Sequence, residues 1–146
     1  MTIVEYMTRE HRACDEEFAK AEKAVMDGDF ENAKKLYEKF HEDTQRHFFK
    51  EETELFPTFE EVTGMREGPT QMMRMEHEQM RELFVRMQKS LDGEDKDTFL
   101  SISESLMILL QQHNMKEEQM LYTMCDRSIP ADIKNETIEK MEKIRD

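Results

Sequence analysis

Histidine and glutamate recur together in this chain at one fixed offset. His11 returns as His77, and the same step carries His47, Glu51 and Glu52 onto His113, Glu117 and Glu118. The run His47-Phe-Phe-Lys-Glu-Glu-Thr-Glu-Leu-Phe56 aligns with His113-Asn-Met-Lys-Glu-Glu-Gln-Met-Leu-Tyr122. Of the five histidines, only His41 stands outside the scheme. Imidazole nitrogens and carboxylate oxygens are ligands for first-row transition metals. Their repetition at interior positions points to a two-fold symmetric metal site.

The elements that must position these groups read as helices. Thr2-x-x-Glu5 has the form of a capping box, and Ile3, Met7, Cys14, Phe18, Ala21 and Val25 follow at helical spacing. Met26-Asp-Gly-Asp29 ends this helix and caps the next, which carries Ala33, Tyr37, Phe40, Thr44, His47, Glu51 and Leu55. That helix is expected to weaken near Pro57, where a backbone donor is missing, and Val62 to Pro69 reads as a loop. The third helix places Met73, Met80, Phe84, Met87 and Leu91 in the register of the first. Asp92-Gly-Glu-Asp95 forms a second turn, and a fourth helix from about Asp97 to Cys125 holds Phe99, Ile102, Leu106 and Leu110. Ile129-Pro130 breaks it, and Ala131 to Ile144 makes a short fifth helix. The expected fold is all-α, an antiparallel up-down-up-down four-helix bundle with a short C-terminal helix. One domain spans 1–146, one hairpin (about 2–57) is used again (about 69–125), and the last helix covers about 131–144.

Counting along the helices tests whether the repeated residues meet. The leg from His11 to the first turn at Asp27 and the leg from Asp29 to His47 are nearly equal. At the helical rise they measure roughly 24 and 27 Å. In the second hairpin the legs from His77 to Asp92 and from Asp97 to His113 are again nearly equal. His47 and Glu51, like His113 and Glu117, are four apart and share a helix face. Four His and two Glu therefore converge on one layer of the core. Left unpaired, such groups would each cost several kcal/mol, roughly. A pair of dications coordinating neutral imidazoles and carboxylates removes that cost. Six donors exceed one tetrahedral zinc. The mixed set suits iron or manganese, with each ion taking two His and sharing both carboxylates.

Composition narrows the partners. The formal charge of −13 argues against nucleic acid and anionic membrane, and favours cations. No run approaches the ~20 apolar residues of a membrane span. The N-terminus shows no basic region before an apolar run, and two cysteines read as reduced thiols, so a cytoplasmic location is expected. The sequence names no protein partner.

The ordered motif His11, His47-x-x-x-Glu51-Glu52-x-x-Leu55-Phe56-Pro57, Glu76-His77, His113-x-x-x-Glu117-Glu118 resembles the hemerythrin-like cation-binding domains over the first four helices. The resemblance implies two iron ions with a bridging oxo, hydroxo or water. His11, His47, His77 and His113 would be terminal ligands, with Glu51 and Glu117 as bridges. It also implies binding, sensing or reaction with a small diatomic or reactive species such as dioxygen, nitric oxide or peroxide. An enzyme of nitric oxide or peroxide reduction, or an iron donor in iron–sulfur cluster repair, is the alternative. The chain departs from oxygen carriers of the family. Their fifth His is absent, since His77 is flanked one helical turn away by Met73 and Arg81, and Glu118 stands where they place an Asp. Glu118 is therefore the rival to Glu117 as bridge. The four-His, two-Glu set is more similar to the di-iron proteins of cluster repair and nitric oxide stress.

Other residues sit near the expected site. Glu10 and Glu76 precede the repeated His and are candidates to orient a ligand or form a polar path. Met7, Met73, Met80, Phe48, Met115 and Leu110 are expected as core or pocket wall. His41, about 240° around its helix from His47, is expected to be no ligand. Cys14 and Cys125 are expected about 20 Å apart, beyond disulfide reach.

Overall fold

A computed structural model describes residues 1–145. Among them there is no strand, and no helix is long and apolar enough to cross a membrane. The chain folds as an all-α bundle. Helix α1 (Ile3–Met26) and α2 (Phe30–Lys50) form the first hairpin; a π-helical turn (Glu51–Leu55) continues α2 into α3 (Phe56–Thr63). Helix α4 (Pro69–Asp92) and α5 (Lys96–Lys116) form the second hairpin; a second π turn (Glu117–Leu121) leads into α6 (Tyr122–Ser128), and α7 is Ala131–Glu142.

Local chemistry sets the ends. Thr2 Oγ1 accepts from the Glu5 N–H, and Asp126, from the far end of the chain, accepts from the N–H groups of Ile3 and Val4 at 2.8 and 3.1 Å. These three bonds satisfy donors that a helix start otherwise leaves open. Asp29 caps α2 and Asp95 caps α5, each through the N–H three residues on. The two turns share their capping aspartate but differ in the residue that takes a positive φ. Gly28 has φ +78°, and its counterpart in the second turn is Glu94, at φ +51°. A side chain in the left-handed region is strained, whereas glycine is not. Glu94→Gly is expected to raise stability by about 0.5–1 kcal/mol, part of the relief being offset by a freer unfolded chain. Denaturant unfolding measures it, and a loss of stability would show that the turn is not strained there.

The second rod departs from expectation. It does not weaken at Pro57 but continues to Thr63, so the loop starts at Gly64 rather than Val62. The π turn explains this. Its bonds reach back five residues, with the Phe56 N–H on Glu51 O, which leaves Pro57 in the first turn of α3. A proline there removes a donor that needs no partner. Gly64, at φ +75°, ends the rod and donates to Glu60 O. The last helix stops at Glu142, short of Ile144.

Two apolar clusters occupy opposite ends of the bundle. Phe18, Tyr37, Phe40, Phe84, Phe99 and Leu106 are among those at the hairpin turns. Ile3, Met7, Phe56, Phe59, Met73 and Tyr122 are among those at the chain ends, where α7 adds Ile138 and Met141. Between them lies the layer of buried ionisable groups.

Candidate metal centre

Each rod carries one buried histidine into that layer: His11 from α1, His47 from α2, His77 from α4 and His113 from α5. Glu51 and Glu117 join them, both fully buried, each as the first residue of a π turn. A π turn inserts one residue into the helical ladder and re-aims the side chains around it, a device common at functional sites. Two sets of donor atoms result. Glu51, His77, His113 and Glu117 each offer one atom, all within 4.8 Å of one another, and so do His11, His47 and Glu117. Glu117 belongs to both sets; its Oε1 lies 3.1 Å from His11 Nε2 and 3.3 Å from His113 Nε2. Glu51 Oε1 lies 3.1 Å from His77 Nε2 and 3.6 Å from His47 Nε2.

The outward nitrogen of every ring is held by a carboxylate. His47 Nδ1 donates to Glu10 at 2.9 Å, His77 Nδ1 to Glu52 at 2.7 Å, His113 Nδ1 to Glu76 at 2.8 Å and His11 Nδ1 to Glu118 at 2.7 Å. In each case the carboxylate on one rod fixes the ring on the next, so the four pairs close a circuit around the bundle. Holding Nδ1–H outward turns Nε2 inward and raises its basicity, as in metal sites generally. Three of these carboxylates are paired with cations: Glu10 with Lys50, Glu76 with Lys116 and Glu52 with Arg81. The fourth corner differs. The counterpart of Arg81 in the first half is Asp15, which lines a cleft of about 230 Å³ with Glu118 and Arg12. A smaller cleft of about 150 Å³, lined by Cys14, Asp43 and Lys50 among others, reaches Glu10 and His47.

Charge crowding shifts the titrations. Burial pulls His11 and His113 down, but contacts with Glu117, and with Glu118 and Glu76 respectively, outweigh it and push them up to about 9 and about 10. His77 is raised in the same way by Glu51 and Glu52 against the pull of burial. Glu51 is raised, first by burial and then by the charge of Glu117. Burial would raise Glu117 too, but His113, Glu51 and His11 hold it well below the usual carboxylate range. Glu10 and Glu52 fall to about 2 despite partial burial, because His47 and Lys50, or His77 and Arg81, favour their charged forms. Glu76 and Glu118 are lowered chiefly by their bonded histidines.

The residues fit a metal cation on an observation independent of family. Glu51 Oε1, His77 Nε2, His113 Nε2 and Glu117 Oε2 are buried without a hydrogen-bond partner. Leaving a buried polar atom unsatisfied costs about 1–3 kcal/mol, more if charged. All four belong to residues of the first donor set, and a cation there would satisfy them together.

The surroundings differ partly from sequence expectation. Phe48 stacks on His77 at 3.9 Å between ring centroids, and Phe56 covers the same ring at 5.9 Å. Met7 and Met73 are buried on the chain-end side, and Met80 and Leu110 toward the turns. Met115, expected in the wall, is 54% exposed, because it lies two positions from the inward-facing His113 and so points away from the layer. His41 stacks on Tyr37 and falls outside both donor sets. Cys14 and Cys125 are both free. Two contributors escaped sequence reading. Glu52, named only as part of the repeat, orients His77. Tyr122, aligned only as the counterpart of Phe56, puts its hydroxyl into the layer, 2.7 Å from Glu51 Oε2 and 2.8 Å from Glu117 Oε1, with one proton to share between the two carboxylates. The fixed offset was the signal for Glu52, since Glu118 was already a candidate. For Tyr122 it was the one added oxygen where the two halves differ.

The family model of the hemerythrin HHE cation-binding domain matches residues 2–125. Searches of the curated proteins and of the solved structures returned no match.

Proposed function

The chain belongs to the hemerythrin HHE cation-binding domain family and binds metal cations at a buried His/Glu cluster, and on that premise we propose that it is a di-iron protein that binds, senses or reacts with dioxygen, nitric oxide or peroxide. His11 and His47 would hold one ion and His77 and His113 the other, with Glu51 and Glu117 as carboxylate ligands available to both. The observation that carries this reading is the set of four buried donor atoms without a hydrogen bond, on four residues whose ligand atoms converge within 4.8 Å. When bound, iron supplies redox chemistry and open coordination positions.

The chain's own residues supply the rest. Glu10, Glu52, Glu76 and Glu118 hold the rings in register. Lys50, Arg81 and Lys116 keep three of those carboxylates charged. Phe48 and Phe56 keep water from His77, and the two apolar clusters lower the dielectric around the layer. The clefts beside His47 and Glu118 offer routes inward for a small species. The formal charge of −13 disfavours polyanions such as nucleic acid and anionic membrane as partners, and a cytoplasmic setting belongs to the same reading.

Anaerobic reconstitution with ferrous iron, followed by dioxygen, nitric oxide or peroxide under visible spectroscopy, tests the proposal. Two irons per chain and a spectral change with at least one of the three are expected. A reversible adduct marks a carrier or sensor. Repeated turnover marks the alternative, an enzyme of nitric oxide or peroxide reduction. Transfer of iron to an apo cluster protein marks a donor. Iron far below two per chain would overturn the reading.

A further inference from the structure

The two halves of the donor layer are built from one repeat, yet they differ by one oxygen. Tyr122 stands in the second half where the first half has Phe56. Phe56 lies against His77 and offers no donor. The Tyr122 ring lies against His11 and carries its hydroxyl into the centre. Tyr122 Oη is 2.7 Å from Glu51 Oε2, 2.8 Å from Glu117 Oε1, 3.1 Å from His11 Nε2 and 3.4 Å from His47 Nε2. These four atoms belong to the four residues that the proposed function assigns to one ion. Donors about 2.1 Å from a shared cation at right angles stand about 3 Å apart, so an oxygen at these distances is placed where it could serve the same cation as a further ligand.

The atoms without a hydrogen bond point the same way. Nε2 of His77 and of His113 lie near carboxylate oxygens of Glu51 and Glu117 but make no well-formed hydrogen bond, whereas Nε2 of His11 and of His47 both face the phenol. Half of the layer already has a fifth donor, and the other half does not.

We propose that Tyr122 is a metal ligand: its phenolic oxygen completes the His11/His47 position. In coordinating, the oxygen exchanges its O–H bond for a bond to the cation, and the proton passes to buffer. This rests on the di-iron reading above, and it makes the two ions unequal in a chain whose sequence repeat suggests equality. The other two tyrosines are engaged elsewhere. The Tyr6 hydroxyl accepts from Lys50, and Tyr37 donates to Phe84 O.

The test reads iron content and the visible spectrum separately. Wild-type protein reconstituted with iron and oxidised to the ferric state is expected to show a phenolate-to-ferric charge-transfer band. Resonance Raman excitation into that band is expected to enhance tyrosine ring modes that shift when ring-deuterated tyrosine is incorporated. This measurement needs no variant. Tyr122→Phe, a change of one buried oxygen, is expected to lose the band while keeping more than one iron per chain. A wild-type protein with two irons and no such band, or a band that survives Tyr122→Phe, overturns the ligand assignment and leaves the di-iron reading standing. A wild-type protein that takes up no iron overturns both.

Discussion

Glu117→Ala protein is expected to hold far fewer than two irons per chain after anaerobic reconstitution, with affinity lowered more than the ~10–100-fold typical of losing a residue that only orients a ligand. Glu117 is fully buried and is the one residue in both donor sets. Its Oε1 reaches a histidine from each hairpin, so removing it disconnects both positions at once. It also removes the negative charge on which His11 and His113 depend. Glu51→Ala and His77→Ala are expected to lose iron as well. Glu118→Ala serves as the contrast. Its carboxylate bonds His11 Nδ1 from outside the layer and lies in neither donor set, so a weakened but measurable site should remain. His41→Ala should keep both irons, because His41 packs against Tyr37 and Phe84. Iron analysis after gel filtration decides the series. Two tightly held irons in Glu117→Ala would refute its bridging role.

Stripping the metal is expected to cost the fold about 4 kcal/mol relative to protein held at free cation near a thousand times its Kd. For a chain of this size that lowers the midpoint of thermal unfolding by about 10 °C. The stripped protein should also show a stability window whose limits follow from the shifted groups. His11 and His113 titrate at about 9 and about 10 when folded, against an ordinary value of 6.5. Their folded pKa is raised, so their contribution is full below about 6.5 and is lost as pH rises through about 9 and 10. Glu10 and Glu52 titrate at about 2 against 4.5, so their contribution is full above about 4.5 and is lost as pH falls through about 2. Glu51, raised by burial and by Glu117, works against stability once pH passes its unfolded value. The stripped fold should therefore be firmest in mildly acidic solution. Cation binding reverses the alkaline limb, since the cation displaces the histidine protons. Affinity should rise with pH between about 6.5 and 9, with proton release visible by calorimetry in buffers of different ionisation heat. Equal unfolding temperatures with and without metal, or binding indifferent to pH across that range, would show that these six side chains do not take up a cation.

The ring of carboxylates has a further consequence. Glu10–His47–Lys50 and Glu76–His113–Lys116 are the same triad in two hairpins, whereas Glu52–His77–Arg81 answers to Glu118–His11 with Asp15 in place of the arginine. The pair Arg12 and Asp15 carries the charges of Glu78 and Arg81 in reversed order, and the charge of Arg12 also helps to lower Glu118. The halves therefore differ in how the rim charges are arranged and in oxygen content at the centre, both around His11 on the α1 side.

The spacing of residues alone determined the helices, their pairing into two hairpins and the common depth of His11, His47, Glu51, His77, His113 and Glu117. The reason is that helical rise and periodicity are fixed by the backbone. Counting from a turn gives height, and counting by four gives the face. That arithmetic assumes an unbroken α-helix, and it failed where the ladder changes: at the π turns that begin at Glu51 and Glu117 and carry the rod past Pro57. Only the tertiary structure decided how each rod is rotated against its neighbours. That rotation sends Glu117 inward and Glu118 to the rim, aims Glu52 at His77, turns Met115 to solvent and brings the Tyr122 hydroxyl between carboxylates from two hairpins. Contacts of this kind depend on packing between rods distant in sequence, a relation that a one-dimensional period does not encode.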